Sequence, residues 1–343
     1  MKPDTKVAIA ILNWNGKKFL AEYLPLVMKY STPEAGASVV VIDNASTDDS
    51  ISYLNEHFPD VTLVELDKNY GFAEGYNRGL ARIEAAYYLL LNSDVKVTPG
   101  WLSPLLDFMN NNKECAAVMP SIRSLTRPEY FEHAGAAGGF IDKYGYPFCR
   151  GRVFSYLEKD NSQYSSNIPV FWTTGAAMLV RSSLWHKYGG FDNLFFAHME
   201  EIDFCWRLKN AGHKLYVVPE SKVFHYGGGA LPKENPHKTF LNFRNNLLLI
   251  YKNRSGREAG KILWQRNFLD MLALLAFVMQ GRWRDAQAVM RARRAFRQLV
   301  KQHAEQLQKY RPKGSPQFKE MYPGSLVFDY YFRGKKKYSD LKF

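Results

Sequence analysis

Val39-Val40-Val41-Ile42-Asp43-Asn44-Ala45-Ser46-Thr47-Asp48-Asp49 is the stretch that decides the architecture. A short, unbroken apolar run ends abruptly on an acid. A strand with no polar alternation is covered on both faces, as in parallel sheets flanked by helices. The hydroxyls and acids that follow predict a helix start, with Ser46 as a capping hydroxyl ahead of carboxylates in the first turn. The same grammar recurs on either side. Residues 7–12 form an apolar run that stops at Asn13-Trp14-Asn15, and a helix is predicted over 17–30. Residues 61–66 form a third strand, which leads past Asn69 to a helix over 73–86. A fourth strand over 87–91 ends at Asn92-Ser93-Asp94; Pro99-Gly100-Trp101 opens another helix, and 116–119 is another strand. This alternation predicts an α/β fold with a Rossmann-like, mostly parallel central sheet and helices on both faces.

Further along, the pattern changes. Residues 123–167 are rich in Gly, Tyr, Ser and charges without clear periodicity, and read as a substrate-facing loop region. Regularity returns with a strand over 176–180, a helix over 201–211 stopped by Gly212, and a strand over 215–218 stopped by Pro219. Beyond His237 the chain reads as helix until Pro312. There is no internal repeat.

Composition bounds the function. With 343 residues, 46% hydrophobic and 15% aromatic, the chain can bury one large core or a main domain with an appendage, and is not disordered. The longest uninterrupted apolar run, Met271 to Met279, is nine residues, which excludes a bundle of membrane spans and predicts a segment too short to cross a bilayer. The apolar stretch at 7–12 is too short for a secretory signal, so a cytoplasmic protein is expected. Cys115, Cys149 and Cys205 are scattered, with no CxxC pair, and fit a reducing compartment. The formal net charge is +13, yet residues 1–250 carry −1 and residues 251–343 carry +14. A neutral body with a basic end points to an anionic surface met by one flank. No recognition motif accompanies the charge, so nucleic acid is not the expected partner.

In parallel α/β sheets, ligands bind beyond the carboxyl ends of the strands. Asn13, Asp43, Asn44, Asn69, Asn92 and Asp94 all fall there. Asn and Asp also favour turns at any one position, but four strand ends together point to a ligand edge. The dinucleotide glycine fingerprint and the P-loop are both absent. Asp43 can accept from a nucleobase N–H or a ribose hydroxyl. Asp94 can ligate a divalent metal that would in turn hold a diphosphate.

Five ordered motifs carry a resemblance: Ile42-Asp43-Asn44-Ala45-Ser46-Thr47-Asp48, Asn69-Tyr70-Gly71-Phe72-Ala73-Glu74-Gly75-Tyr76-Asn77, Leu91-Asn92-Ser93-Asp94, the segment from Phe195 to Arg207 containing Glu200-Glu201-Ile202-Asp203, and the segment from Val218 to His225. Over residues 6–250 the chain resembles the family 2 glycosyltransferases of the GT-A fold, nearest the rhamnosyltransferase-like and galactofuranosyltransferase-like branch. The resemblance implies a GT-A catalytic domain over 1–250, its nucleotide-sugar half about 1–120 and its acceptor half about 121–250, followed by a basic helical region over 251–343. It implies that Asn13, Asp43, Asn69, Gly71, Asn77 and Asn92 line the nucleotide-sugar site. Asp94 would bind Mg2+ or Mn2+ as the last acid of an Asp-x-Asp whose first acid is Asn92 here, with His225 completing the metal site. Glu201 would be the general base and Glu200 its understudy. Trp172, Thr174, Gly175 and Asp203 would lie on the acceptor side, with Asp203 also placed to pair with Arg207 one turn away.

The implied reaction is inverting sugar transfer from a nucleotide-diphosphate sugar, of dTDP-rhamnose or UDP-hexose type, to a glycan or lipid-linked acceptor in surface polysaccharide synthesis. Two other readings compete. A sugar-phosphate nucleotidyltransferase would need a glycine-rich phosphate loop where Asn13-Trp14-Asn15-Gly16 stands. A non-catalytic glycan- or membrane-binding module would not need Asp94, Glu201 and His225 together. The apolar residues of 258–306, followed by arginines, suit peripheral attachment to an anionic membrane surface.

Overall fold

The computed structural model describes residues 6–31, 36–227, 235–314 and 316–343. The chain builds β1 (Val7–Asn13), α1 (Lys17–Ser31), β2 (Ala37–Asp43), α2 (Ser50–His57), β3 (Thr62–Glu65) and α3 (Gly71–Leu80) in succession. β4 (Tyr87–Asn92), β5 (Val95–Val97), α4 (Ser103–Asn111) and β6 (Cys115–Ser124) follow. Four short strands come next: β7 (Gly139–Asp142), β8 (Pro147–Cys149), β9 (Arg152–Val153) and β10 (Tyr156–Leu157). After them lie β11 (Ile168–Pro169), β12 (Ala177–Arg181), α5 (Ser182–Lys187), α6 (Glu200–Asn210) and β13 (Lys214–His225). The C-terminal part holds α7 (Pro236–Asn253), α8 (Gly256–Met279), α9 (Trp283–Gln302), α10 (Ala304–Gln308), β14 (Met321–Tyr322) and α11 (Leu326–Tyr331).

The central sheet runs β11-β13-β6-β12-β4-β1-β2-β3, with β5 pairing β13. Pairs β4–β1, β1–β2, β2–β3 and β13–β6 are parallel, and β12 is antiparallel between β4 and β6. Most of the paired length is parallel, as the continuous apolar runs require. Val7 to Ala10, Val40 to Ile42 and Leu89 to Leu91 are fully buried, so both sheet faces are covered.

Three departures from the sequence reading have physical causes. Residues 123–167 are not a loop region: β7 to β10 form a second, antiparallel ribbon, closed by β14 pairing parallel to β7. Strands of two to four residues leave no periodicity to read, and their partner arrives some 180 residues later. The strand expected to stop at Val218 runs on to His225, because an irregularity between Val218 and Lys222 accommodates Pro219 without breaking the pairing. The helix after β2 begins at Ser50, and Ser46 caps nothing; its hydroxyl donates back to Asp43 (2.6 Å).

Helices α7 to α10 fill the stretch read as helical beyond His237. They rest on the catalytic body, where Lys252 of α7 pairs with Asp203 of α6 (2.8 Å); at the chain's last residue, Phe343 packs against Phe140 of β7 with ring centroids 5.3 Å apart.

Candidate active site

The carboxyl edge of the sheet is rigidly wired. Asn13, ending β1, donates to Asp43 at the end of β2 (2.9 Å), whose two oxygens also accept from Ser46 N (2.8 Å) and Ser46 Oγ. Asn15 holds a left-handed backbone (φ 50°) and accepts from Thr47 N (2.7 Å). Asp43 is fully buried. In this arrangement it organises the 43–48 loop and offers no exposed carboxylate to a nucleoside. Trp14, between the two asparagines, is instead 57% exposed at this rim.

A second wired turn lies alongside. Asn44 donates to Asn69 Oδ1 (3.0 Å) and to Gly71 O (3.0 Å), and accepts from Tyr70 N (2.9 Å). Gly71 sits at φ +76°, and a Cβ there would come within 2.9 Å of the Phe196 ring; glycine is needed for both reasons. Asn77 faces elsewhere: its amide exchanges two hydrogen bonds with the Phe191 backbone (2.7 and 3.0 Å) and ties α3 to the chain leading into α6. It is a strut.

Asp94, just past β4, meets His225 at the end of β13. His225 Nε2 lies 3.1 Å from Asp94 Oδ1, and its Nδ1 lies 3.1 Å from Glu132 Oε2. Burial alone would lower the imidazole's affinity for a proton, but hydrogen bonds to the two carboxylates outweigh it and raise His225 to about 10. Burial likewise opposes ionisation of Glu132, and the His225 partnership still draws it down to about 2.

The row fits a divalent cation. An oxygen of Asp94 and Nε2 of His225 face each other, with a carboxylate fixing the far ring nitrogen, the second-shell arrangement typical of metal-binding histidines. Among the described residues no three His, Cys, Asp or Glu side chains converge on one point. Asn92 adds no charge.

The acids of α6 follow a run of left-handed residues. Phe196, His198 and Met199 are all left-handed (φ 63°, 69° and 73°) immediately before the helix. Glu200 is buried and Glu201 partly buried; one oxygen of each makes no hydrogen bond, and neither does His198 Nε2. Burial raises the Glu201 carboxyl to about 7, although backbone amides of the helix start oppose the rise. Burial, with the neighbouring charge of Glu201, drives Glu200 well above the usual carboxylate range. Burial also pushes His198 down to about 4.

Asp203 is different. Lys252 (2.8 Å), Arg207 (2.9 Å) and Asn253 (2.7 Å) surround it, and these cations hold it ionised despite complete burial. It pairs with Arg207 as the spacing predicts, but it is sealed inside the α6–α7 contact and does not face an acceptor.

Sequence reading missed what holds this segment. Asn245, fully buried on α7, donates its side-chain amide to Phe195 O (3.0 Å), Ala197 O (2.8 Å) and His198 O (2.7 Å). Arg244 adds bonds to Leu194 O (3.1 Å) and Phe195 O (2.9 Å). Three carbonyls turned toward one amide satisfy backbone groups that the left-handed run removes from regular pairing. Glu132 was missed as well. Neither residue follows a strand or opens a helix, so no local signal marks them.

The acceptor-side segment joins these pieces. Trp172 is buried and donates to Phe140 O (2.8 Å), and Thr174 Oγ1 accepts from Ala176 N (3.1 Å). A Cβ on Gly175 would stand 3.4 Å from the Phe72 ring of α3 and 3.8 Å from Cβ of Glu201. The next residue, Ala176, accepts from Asn92 N (3.0 Å). Glu201, the start of α3 and the Asn92–Asp94 turn therefore share one edge, with His225 beside Asp94. Asp43, Asn69 and Gly71 rim it, while Asn77 and Asp203 brace it from behind.

A donor-side edge of this kind on a mostly parallel sheet belongs to a glycosyltransferase of the GT-A type. The sequence model of glycosyl transferase family 2 matches residues 8–185, and the chain belongs to this family. It is similar to the N-acetylglucosaminyl-diphospho-decaprenol L-rhamnosyltransferase of Mycobacterium tuberculosis, 26% identical over 249 residues, 67% of this chain and 80% of that protein. It is also similar to the rhamnosyltransferase WbbL of Escherichia coli K12, 26% identical over 208 residues, 58% of this chain and 74% of that one. Among solved structures, the Pyrobaculum calidifontis mannosyltransferase PcManGT in complex with GDP-Man and Mn2+ superposes with a TM-score of 0.53 at 17% identity, over 90% of this chain and 83% of that one. GalNAc-T7 with UDP, GalNAc and Mn2+ superposes with a TM-score of 0.58 at 15% identity, over 74% of this chain and 48% of that protein, about half its length.

Proposed function

We propose that the protein moves a sugar from a nucleotide-diphosphate sugar, of dTDP-rhamnose or UDP-hexose type, to a hydroxyl of a glycan or lipid-linked acceptor, with inversion at the anomeric carbon. The observation that carries this reading is Glu201, a carboxylate raised to about 7 by burial, packed against Gly175 on the edge that also holds Asp94 and His225. The similarity to two rhamnosyltransferases, one acting on a decaprenol-linked sugar, supports the donor and acceptor classes.

Near neutral pH Glu201 is poised between its two forms, which suits a general base. Its unpartnered oxygen takes the proton of the acceptor hydroxyl. The oxygen so freed bonds to the anomeric carbon from the face opposite the diphosphate, and the bond to the diphosphate oxygen breaks with its electron pair leaving on that oxygen. Glu200, kept protonated by its neighbour and by burial, does not compete for the proton. Asp94 and His225 would hold Mg2+ or Mn2+, whose positive charge favours the developing diphosphate anion. Asn69 and Gly71 shape the donor rim, and Trp14 offers a flat exposed face there.

The test is nucleoside diphosphate release with dTDP-, UDP- and GDP-sugars, Mn2+ and a polyprenyl-diphosphate-linked sugar. Glu201→Gln should keep the donor KM within a few-fold while kcat falls by about 100-fold or more, the scale of general-base catalysis. Near-normal turnover in that variant removes Glu201 from the role.

A further inference from the structure

Helix α8 is inside out for a helix on a protein surface. Its buried residues are Ala259, Ile262, Arg266 and Asp270. Arg266 and Asp270 pair with each other (3.0 Å), Arg293 of α9 reaches the same carboxylate, and Arg266 also donates to Tyr144 O (3.0 Å). The outward side carries Trp264, Phe268, Met271, Leu272, Leu275 and Met279, at the three- and four-residue intervals of one helix face. Trp264 is 75% exposed, Phe268 67% and Met279 87%, and only 17% of the helix's most apolar 18-residue stretch is buried. Surface helices of globular proteins place these classes the other way round. The patch continues onto α11, where Phe328 joins Trp264 and Phe268 in lining a groove of about 620 Å³, and Tyr331 and Phe332 are exposed beyond it. An apolar area of this extent marks an interaction site.

Charge identifies the partner. Between residues 262 and 281 the charged side chains are Arg266 and Asp270, and both are buried. At the two ends of this apolar stretch the exposed charges are cations: Arg257 and Lys261 before it, Arg282 and Arg284 after it. Helix α9, folding back on α8, exposes Arg291, Arg294, Arg297 and Lys301. A second copy of this chain would bring the same cations face to face, which repulsion disfavours.

We infer that α8 lies in the plane of an anionic lipid surface, its apolar face in the acyl boundary and its flanking cations among the lipid phosphates. By length and composition the helix could cross a bilayer, contrary to the expectation from its nine-residue apolar run. At 24 residues it is about 36 Å long. That run hides the helix because Arg266 and Asp270 interrupt it in sequence yet neutralise each other in space. Crossing would pull this pair away from Arg293 and Tyr144 into hydrocarbon, whereas lying flat leaves it seated on the protein. The inference rests on α8 and its neighbours α9 and α11 and is independent of the acceptor's identity.

The experiment is co-sedimentation of the full chain with phosphatidylcholine vesicles containing or lacking phosphatidylglycerol, beside the double variant Phe268→Glu/Leu275→Glu. Thermal melting and donor turnover serve as controls that the variant is folded. The intact chain should pellet with the anionic vesicles, release with added salt, and lose roughly tenfold or more of its binding in the double variant, the scale of losing buried apolar anchors. Brominated lipid should quench its emission more than that of Trp264→Phe. Failure of the intact chain to bind, binding retained by the folded double variant, equal binding to both vesicle types, or a solution dimer that the double variant dissociates would each overturn the inference.

Discussion

A buried base with one unpartnered oxygen should cost stability wherever it is ionised, and Glu201 allows that cost to be measured. Its carboxyl is raised from an ordinary 4.5 to about 7 because burial disfavours the charge. Below pH 4.5 both folded and unfolded chains hold the proton, and no penalty exists. Between 4.5 and 7 the unfolded chain releases it while the folded chain keeps it, so unfolding liberates a proton and stability falls as pH rises. Above 7 the full penalty is present. At about 1.4 kcal/mol per pH unit, the interval amounts to about 3 kcal/mol, an upper figure because Glu200 shares the site and titrates with it. Glu201→Gln abolishes this titration while keeping nearly the same shape. Urea denaturation at pH 5 and pH 8 should therefore show a variant close to the parent at pH 5 and more stable by up to about 3 kcal/mol at pH 8. The same variant is the one expected to be catalytically crippled, so gain and loss would appear in one protein. If Glu201→Gln is equal to or less stable than the parent at pH 8, the carboxylate is not a strained, desolvated base and the reasoning fails.

Asn245→Asp keeps the side-chain volume but turns an oxygen toward carbonyls that now accept from the amide; kcat should fall by about tenfold or more and the acidic limb of the pH–rate profile should move away from 7, with donor KM little changed. A loss of stability with an unmoved pH profile would mark Asn245 as merely structural. Glu132→Gln should weaken Mn2+ binding by about 10- to 100-fold in calorimetric titration without donor, since the far nitrogen of His225 loses its carboxylate partner; unchanged affinity would remove Glu132 from the metal-supporting role. Asp203→Asn should destabilise the protein by roughly 3–5 kcal/mol in urea titrations, because it removes the carboxylate that Arg207 pairs with in the interior and leaves Lys252 with Asp192 alone; a loss under 1 kcal/mol would mean those cations find other partners.

What was legible in the sequence was legible for a topological reason. A parallel strand covered on both faces must be apolar throughout, so its first polar residue announces the sheet edge, and Asn13, Asp43, Asn92 and Asp94 were found that way. The rule locates a residue without saying which way its side chain works. Asp43 turned to the 46–48 loop and Asn77 to the Phe191 backbone, because an amide or carboxylate near an edge can satisfy backbone groups as readily as a ligand. Acids opening α6 are ambiguous in the same manner, and only their partners separate Glu201, one oxygen of which has none, from the ion-paired Asp203. Glu132 and Asn245 left no trace, since each acts through partners more than 40 positions away. The second ribbon was illegible because its strands are too short to establish a period.

The family match ends at residue 185, yet Glu200, Glu201 and His225 all follow it. The family match thus covers most of the central sheet, whereas the proposed general base sits on a helix whose position is set elsewhere. That setting comes from α7. Arg244 and Asn245 hold the left-handed turn before α6, and about two turns later Lys252 and Asn253 clamp Asp203 within α6 itself. The clamp straddles residue 250, where the change in charge suggested a boundary between catalytic and basic regions. A chain cut there would keep Asn245 but lose Lys252, leaving the buried Asp203 with Arg207 alone. If Glu201 is the base, as proposed, the basic region bears on its placement through the same helix that leads into α8. Whatever α8 binds has a short, rigid path, through α7, to the orientation of Glu201.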